Sequence, residues 1–318
     1  MRSPDTRTEC LGHQPDGVPG RSDREPARCS ALASVTLTAV IVSAVSTACV
    51  QPIAEQAVLE LGSELMVQQA PQFRRPTRDD TRLRRPTEGE EASGRHAFYW
   101  TRAIYSGRSR RGGWYGGGRD SWATDFPKGD RQFLVVLKRL VGLDAYDWEN
   151  AVSLADPELR RFPLIYAVEV GRMDITDAEI VGLRRYLAAG GSLIVDDFWG
   201  TNQWANFVAN IRRVLPDRPI VELPLDHPLF SAFYEIEQIK QVPNIGNARR
   251  GGPTHQGDGY VPHVRGIFDD DGRLMVVINW NTDLGDAWEW AEDPGYPLEY
   301  STFAYEMGAN MIVYAMSH

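Results

Sequence analysis

The chain has 318 residues, with 34 Lys and Arg against 43 Asp and Glu, a formal charge of −9. That length allows one large domain or two small ones, and the acidic balance without a long basic run excludes a phosphate-tracking nucleic-acid groove. A hydrophobic fraction of 42% with nine tryptophans excludes wholesale disorder.

The three cysteines, Cys10, Cys29 and Cys49, all precede residue 50, so no thiol chemistry is available downstream. Residues Ala31 to Val50 form an uncharged run of twenty small and apolar residues behind Arg21, Arg24 and Arg28. This pattern predicts residues 1–50 to be a signal peptide or a membrane or lipid anchor. Ser46-Thr47-Ala48 ahead of Cys49 offers a cleavage site, with Cys49 as the lipid acceptor if the run becomes an anchor. The expected address is therefore outside the cytoplasm, periplasmic or anchored to the cytoplasmic membrane facing outward, with membrane contact only through this segment. Residues 51–95 are charge-dense and poor in large apolar side chains, and are expected to be a disordered linker.

From residue 96 onward, apolar runs alternate with helical periodicities. Phe98-Tyr99-Trp100 and Ile104-Tyr105 predict a first strand, and Gly107 to Gly118 a loop. Asp130 reads as the N-cap of a helix carrying Phe133, Leu134, Leu137, Leu140 and Val141 at spacings of three and four. Leu164 to Val170 predicts a buried strand. Thr176 and Glu179 form a capping box for a helix with Ile180, Leu183 and Leu187 on one face, ending at Gly190-Gly191. Ser192 to Asp196 is the next strand. A helix over Gln203 to Leu215, a strand over Pro219 to Leu223, a hairpin around Asp269 to Gly272 and a last helix over Phe303 to Met316 follow. Strands separated by helices predict a three-layer α/β sandwich with a mostly parallel sheet over residues 96–318. Ligands of such sheets bind at the carboxyl ends of the strands.

Several phrases, in order, carry a resemblance: Trp122 to Pro127 with Asp130, Asp156-Pro157 with Phe162-Pro163, Leu183 to Gly200 (LRRYLAAGGSLIVDDFWG), Leu225 to Phe230, Asn281 to Glu289, and Tyr305 to Ala315. Together they resemble the bacterial domain of unknown function 4159 family. The resemblance implies a class I glutamine amidotransferase-like, flavodoxin-like fold and an exported or membrane-associated location. Those amidotransferases place a Cys at a strand-to-helix elbow, where this chain has Asp196-Asp197-Phe198-Trp199-Gly200. Without Cys or Ser at the tip, glutamine hydrolysis by that route is not expected.

The candidate catalytic residues are Asp196 and Asp197, whose carboxylates at a strand end could act as base or metal ligand, and His227, which could pair with Asp197. The competing readings are strand-end capping for the acids and an Asx-type turn at Asp226-His227-Pro228. Ligand-binding candidates are Trp199 and Asp226, with Asp283, Asp286, Trp288 and Glu289 as an acidic, aromatic surface suited to a sugar. His255, Asp258 and His263 are weaker metal candidates, since their spacing matches no closed site. Arg102, Tyr105, Arg108, Arg110 and Arg111 flank the glycines and could cradle an anion. No cofactor is expected. The reading favoured by the missing nucleophile is a non-catalytic module that binds a small ligand or an envelope protein partner. The alternative is a carboxylate- or metal-dependent hydrolase at the crevice near Asp197 and His227.

Overall fold

The computed structural model describes residues 96–107 and 121–318, which belong to a single unit. The expected leader (1–50), the linker (51–95), most of the predicted glycine loop, and Arg108, Arg110 and Arg111 lie outside the described residues. Among the described residues, no helix is long and apolar enough to cross a membrane.

Seven strands form one mixed sheet: β1 (Thr101–Ile104), β2 (Asn150–Ser153), β3 (Leu164–Val168), β4 (Ser192–Asp196), β5 (Val221–Glu222), β6 (His263–Phe268) and β7 (Leu274–Trp280). Their spatial order is β2-β1-β3-β4-β7-β6-β5. The first five of that order run parallel, β6 runs against them, and β5, antiparallel to β6, returns to their direction. β3 and β4 pair along their whole length, from Leu164 opposite Ser192 to Val168 opposite Asp196. Both are apolar at nearly every position because each face of the sheet is covered. Leu164, Tyr166 and Val168 enter one core, while Ile165 and Ala167 enter the other.

Helices α1 (Lys128–Val141), α5 (Leu284–Glu289) and α6 (Leu298–Ser317) supply the first core, and α2 (Asp177–Ala188) and α3 (Gly200–Val214) the second. A short helix, α4 (Ile245–Arg249), follows β5. The architecture is thus α/β with helices on both faces, as the alternation of strands and helices predicted.

Local signals account for the helix ends. Thr176 Oγ1 accepts the Glu179 amide, and Glu179 Oε2 accepts the Thr176 amide at 2.7 Å, so the capping box forms. The hairpin at Asp269–Gly272 joins β6 to β7, with Gly272 at φ 83°. Asp130 does not cap α1. The helix begins two residues earlier, behind Pro127, and the Asp130 carboxylate turns inward to Arg102. The expected strand over Leu164 to Val170 stops at Val168, because Glu169 takes a left-handed conformation (φ 51°) and a 3-10 turn follows. α6 starts five residues before the predicted Phe303.

Helix α2 touches the loop after β2 so closely that a Cβ at Gly182 would lie 1.9 Å from the Leu154 carbonyl oxygen. Both sides of that contact include backbone, so neither can yield cheaply. Gly182→Ala should destabilise the domain by about 2–3 kcal/mol, despite alanine's roughly 1 kcal/mol advantage in a helix. Urea unfolding of the two proteins measures this difference.

Candidate functional site

Three strands end on the same edge of the sheet in non-glycine residues with positive φ. Glu169 (51°) follows β3, Asp197 (51°) follows β4, and Asn281 (62°) follows β7. A fourth such residue, Asp125 (62°), lies just ahead of α1. Conformations of this kind cost about 1–3 kcal/mol each and concentrate where function constrains the chain. Their side chains, together with α5, define the site.

Five carboxylates converge here. Asp125, Asp197 and Asp283 each offer an oxygen within 4.8 Å of the others, and so do Asp125, Asp286 and Glu289. Asp125 belongs to both groups. Asp283 is the N-cap of α5, its Oδ1 accepting the Asp286 amide at 2.9 Å. Asp286 and Glu289, three apart, lie on one face of that helix. Asp197 Oδ1 accepts the indole N–H of Trp199 at 3.0 Å, and Asp286 Oδ2 accepts the Ile245 amide at 2.7 Å.

Asp196, wholly buried beside them, accepts Tyr166 Oη–H at 2.9 Å and the Leu284 and Gly285 amides at 2.9 and 3.1 Å, all on Oδ2. Its Oδ1 is buried without a hydrogen-bond partner, and so is Asp125 Oδ2. The Asp125 carboxylate needs the space at Gly285, where a Cβ would stand 2.6 Å from Oδ2.

Arg102 on β1 is fully buried and forms a two-pronged ion pair with Asp130, which also accepts the Trp100 indole N–H at 2.9 Å. Its remaining guanidinium nitrogen donates to the Trp122 and Thr124 carbonyls at 3.1 and 2.8 Å. The arginine therefore spends its charge on Asp130 and its directionality on the segment that delivers Asp125. Burial works against its charge, but Asp130 holds its pKa above the ordinary value.

The neighbouring cations have partners outside the cluster: Lys128 bonds Glu292 at 2.9 Å, and Arg172 bonds Glu169 at 2.7 Å. Among the described residues, none of the five carboxylates has an ion pair. Burial, followed by the like charges of neighbouring acids, raises Asp125, Asp197 and Asp283 well above the carboxylate range. Burial also lifts Asp196 from 3.8 to about 7, against the bonds it accepts, and Glu289 from 4.5 to about 7.

This acidity makes a prediction for the protein in chelator, with no cation present. A carboxyl raised in the fold holds a proton that the unfolded chain has already released, so its contribution is present at low pH and lost as pH climbs through the folded value. His227, held below 6.5 by burial, has the opposite sign, but it is one group against several raised carboxyls. The melting temperature should therefore fall as pH is raised from about 5 to about 7, as calorimetry in chelator would show. A flat or rising profile would mean that the acids are not held protonated.

The sequence-predicted residues divide. Asp196, Asp197, Asp283, Asp286 and Glu289 come together. Trp199 joins them as a buried hydrogen-bond donor to Asp197 rather than as an open ligand surface. Trp288 does not face ligand: it is 1% exposed and stacks on Phe133 at 4.1 Å, which fastens α5 to α1. Tyr105, proposed for an anion, is buried and donates to the Val168 carbonyl at 2.6 Å.

His227 does not meet Asp197. It caps a 3-10 turn, accepting the Leu229 amide on Nδ1 at 3.2 Å, and packs against Phe268 and Tyr314. Phe268 ends the reversed strand β6 opposite Leu274, the start of β7, so His227 and its neighbour Asp226 belong to the amino edge of the parallel strands. The three weak metal candidates also diverge. His255 packs on Tyr260, Asp258 binds the Thr201 amide and hydroxyl, and His263 stacks on Trp280 with Nδ1 on Glu222. Asp125 had no sequence signal as a ligand beyond its place in the Trp122 to Pro127 phrase.

A family model described as "Domain of unknown function (DUF4159)" matches residues 114–316, a span that contains Asp125 and every other member of the carboxylate cluster. The chain belongs to the DUF4159 family. No curated protein matches it in sequence. The DUF4159 match covers the sheet from β2 onward and the six α-helices of the described residues, so the site is built almost wholly from the family domain, with Arg102 on β1 lying just ahead of the matched span.

Proposed function

We propose that this domain is a cation-dependent ligand-binding module of the bacterial cell envelope, in which carboxylates at the carboxyl edge of an amidotransferase-like sheet bind a hard divalent cation. The observation that carries the reading is the Asp125 carboxylate, central to both groups and with a buried oxygen that no protein donor satisfies. An orphaned anionic oxygen among four further acids is costly unless a proton or a cation meets it. An all-oxygen donor set without Cys or His favours Mg²⁺, Mn²⁺ or Ca²⁺ over Zn²⁺. The location is supported by the apolar run Ala31 to Val50 behind its arginines, and the bound partner would be a small ligand or an envelope protein.

A second reading, a cation-dependent hydrolase, is favoured by Asp197. It stands with positive φ at the turn from β4 into α3, the type of strained strand-to-helix junction that exposes nucleophiles in other α/β folds. There it would serve as base or ligand for a metal-activated water, without His227.

Calorimetric titration of the chelator-treated protein with Mg²⁺, Mn²⁺, Ca²⁺ and Zn²⁺ tests the main reading. Saturable binding of the hard cations that disappears in Asp125→Asn is the expected result. Absence of binding by all four would reject it. Hydrolysis of model esters or phosphoesters that requires the bound cation and is lost in Asp197→Asn would move the assignment to the second reading.

A further inference from the structure

We infer that the cluster is built for a pair of divalent cations sharing Asp125; this rests on the cation-binding reading above. The five carboxylates do not converge on one point. They form two foci, with Asp197 and Asp283 on one side and Asp286 and Glu289 on the other, and only Asp125 belongs to both.

The spacing suits one ion per focus. Ligand oxygens on opposite sides of a cation with bonds of roughly 2.1–2.6 Å are about 4–5 Å apart, and the oxygens of each group lie within 4.8 Å of one another. A carboxylate shared between neighbouring ions is the usual bridge of paired sites with separations of about 3.5–4 Å.

Each flanking acid except Glu289 is oriented by an N–H donor on one oxygen: Trp199 on Asp197, the Asp286 amide on Asp283, and the Ile245 amide on Asp286. Such donors fix a carboxylate so that its other oxygen can coordinate. Two observations independent of the acid count point the same way. Asp125, the residue common to both foci, has a buried Oδ2 without a protein partner, and the wholly buried Asp196, next to Asp197 in the chain, has an unpartnered Oδ1. Charge agrees, since a single divalent ion offsets two of the five acids and a pair offsets four.

The experiment loads the chelator-treated full chain with Mn²⁺ and measures metal content together with the electron paramagnetic resonance spectrum. The inference predicts two Mn²⁺ per chain and an exchange-coupled spectrum in place of isolated six-line signals. Asp283→Asn should weaken one ion and Glu289→Gln the other, each by roughly 10–100-fold, leaving an uncoupled single ion; Asp125→Asn should weaken both. One ion per chain in the unsubstituted protein, or two uncoupled ions, would overturn the shared pair while leaving the cation reading in place. No bound Mn²⁺ would overturn both. The unsubstituted protein decides the stoichiometry even if a variant fails to fold.

Discussion

Arg102→Met should cost the domain about 3–5 kcal/mol, the usual penalty for removing one partner of a buried ion pair. Both partners are essentially inaccessible to water, so Asp130 would keep only the Trp100 indole as a donor, and two carbonyls would lose theirs. Arg102→Lys should recover only part of the loss, because one ammonium cannot span the Asp130 carboxylate and both carbonyls. The double variant Arg102→Met with Asp130→Leu should recover more than Arg102→Met alone, because no buried charge is then left unpaired. Denaturant midpoints of the unsubstituted protein, Arg102→Met, Asp130→Leu and the double variant form the necessary cycle. A positioning role adds a second readout. Arg102→Lys, which keeps the charge, should weaken cation binding, since the Trp122 and Thr124 carbonyls that it anchors lead directly to Asp125.

The second large effect has opposite signs in two conditions. In chelator at about pH 8, Asp125→Asn should stabilise the protein by about 1–2 kcal/mol, as substitutions that relieve functional strain commonly do. It removes a buried acid from among like charges and places an amide where the unpartnered oxygen was. With a cation at 100 times its dissociation constant, the unsubstituted protein should gain about 2.7 kcal/mol and the variant almost nothing. For a domain of this size that is a shift of roughly 5–10 °C. Differential scanning calorimetry with and without Mn²⁺ reads both arms. A variant that is destabilised in chelator would mean that Asp125 holds the fold rather than a ligand.

What the sequence made legible follows from the range of each interaction. The capping box at Thr176, the Asp269–Gly272 hairpin and the buried runs of β3 and β4 are local, and their signals survive without tertiary context. The rule that places ligands at carboxyl ends led to Asp196 and Asp197, and the acid-rich stretch led to Asp283, Asp286 and Glu289. The role of Trp288 was misread because acids and tryptophans adjacent in sequence were assumed to share a surface. On α5 the acids lie at spacings of three, with Asp283 as the cap, so Trp288 turns to the opposite side and into the core. His227 was drawn to Asp197 because the segment before it was read as one of the parallel strands, and the hairpin at Asp269–Gly272, which reverses β6, does not by itself show that His227 packs where β6 ends. That reversal places the histidine's contacts at the far edge of the sheet. Asp130 resembled a helix cap because the buried arginine that claims it is 28 residues away. Asp125 was the largest omission. Its importance lies in a left-handed backbone and in neighbours from α5, neither of which its own segment encodes.

Anomalous diffraction from a crystal of the protein grown with Mn²⁺ tests most directly whether the carboxylates of the sheet edge hold cations. The predicted result is anomalous density bounded by Asp125, Asp197, Asp283, Asp286 and Glu289, with Asp125 in contact with every ion found there. Carboxyl groups hydrogen-bonded directly to one another, with no anomalous density between them at saturating Mn²⁺, would contradict it.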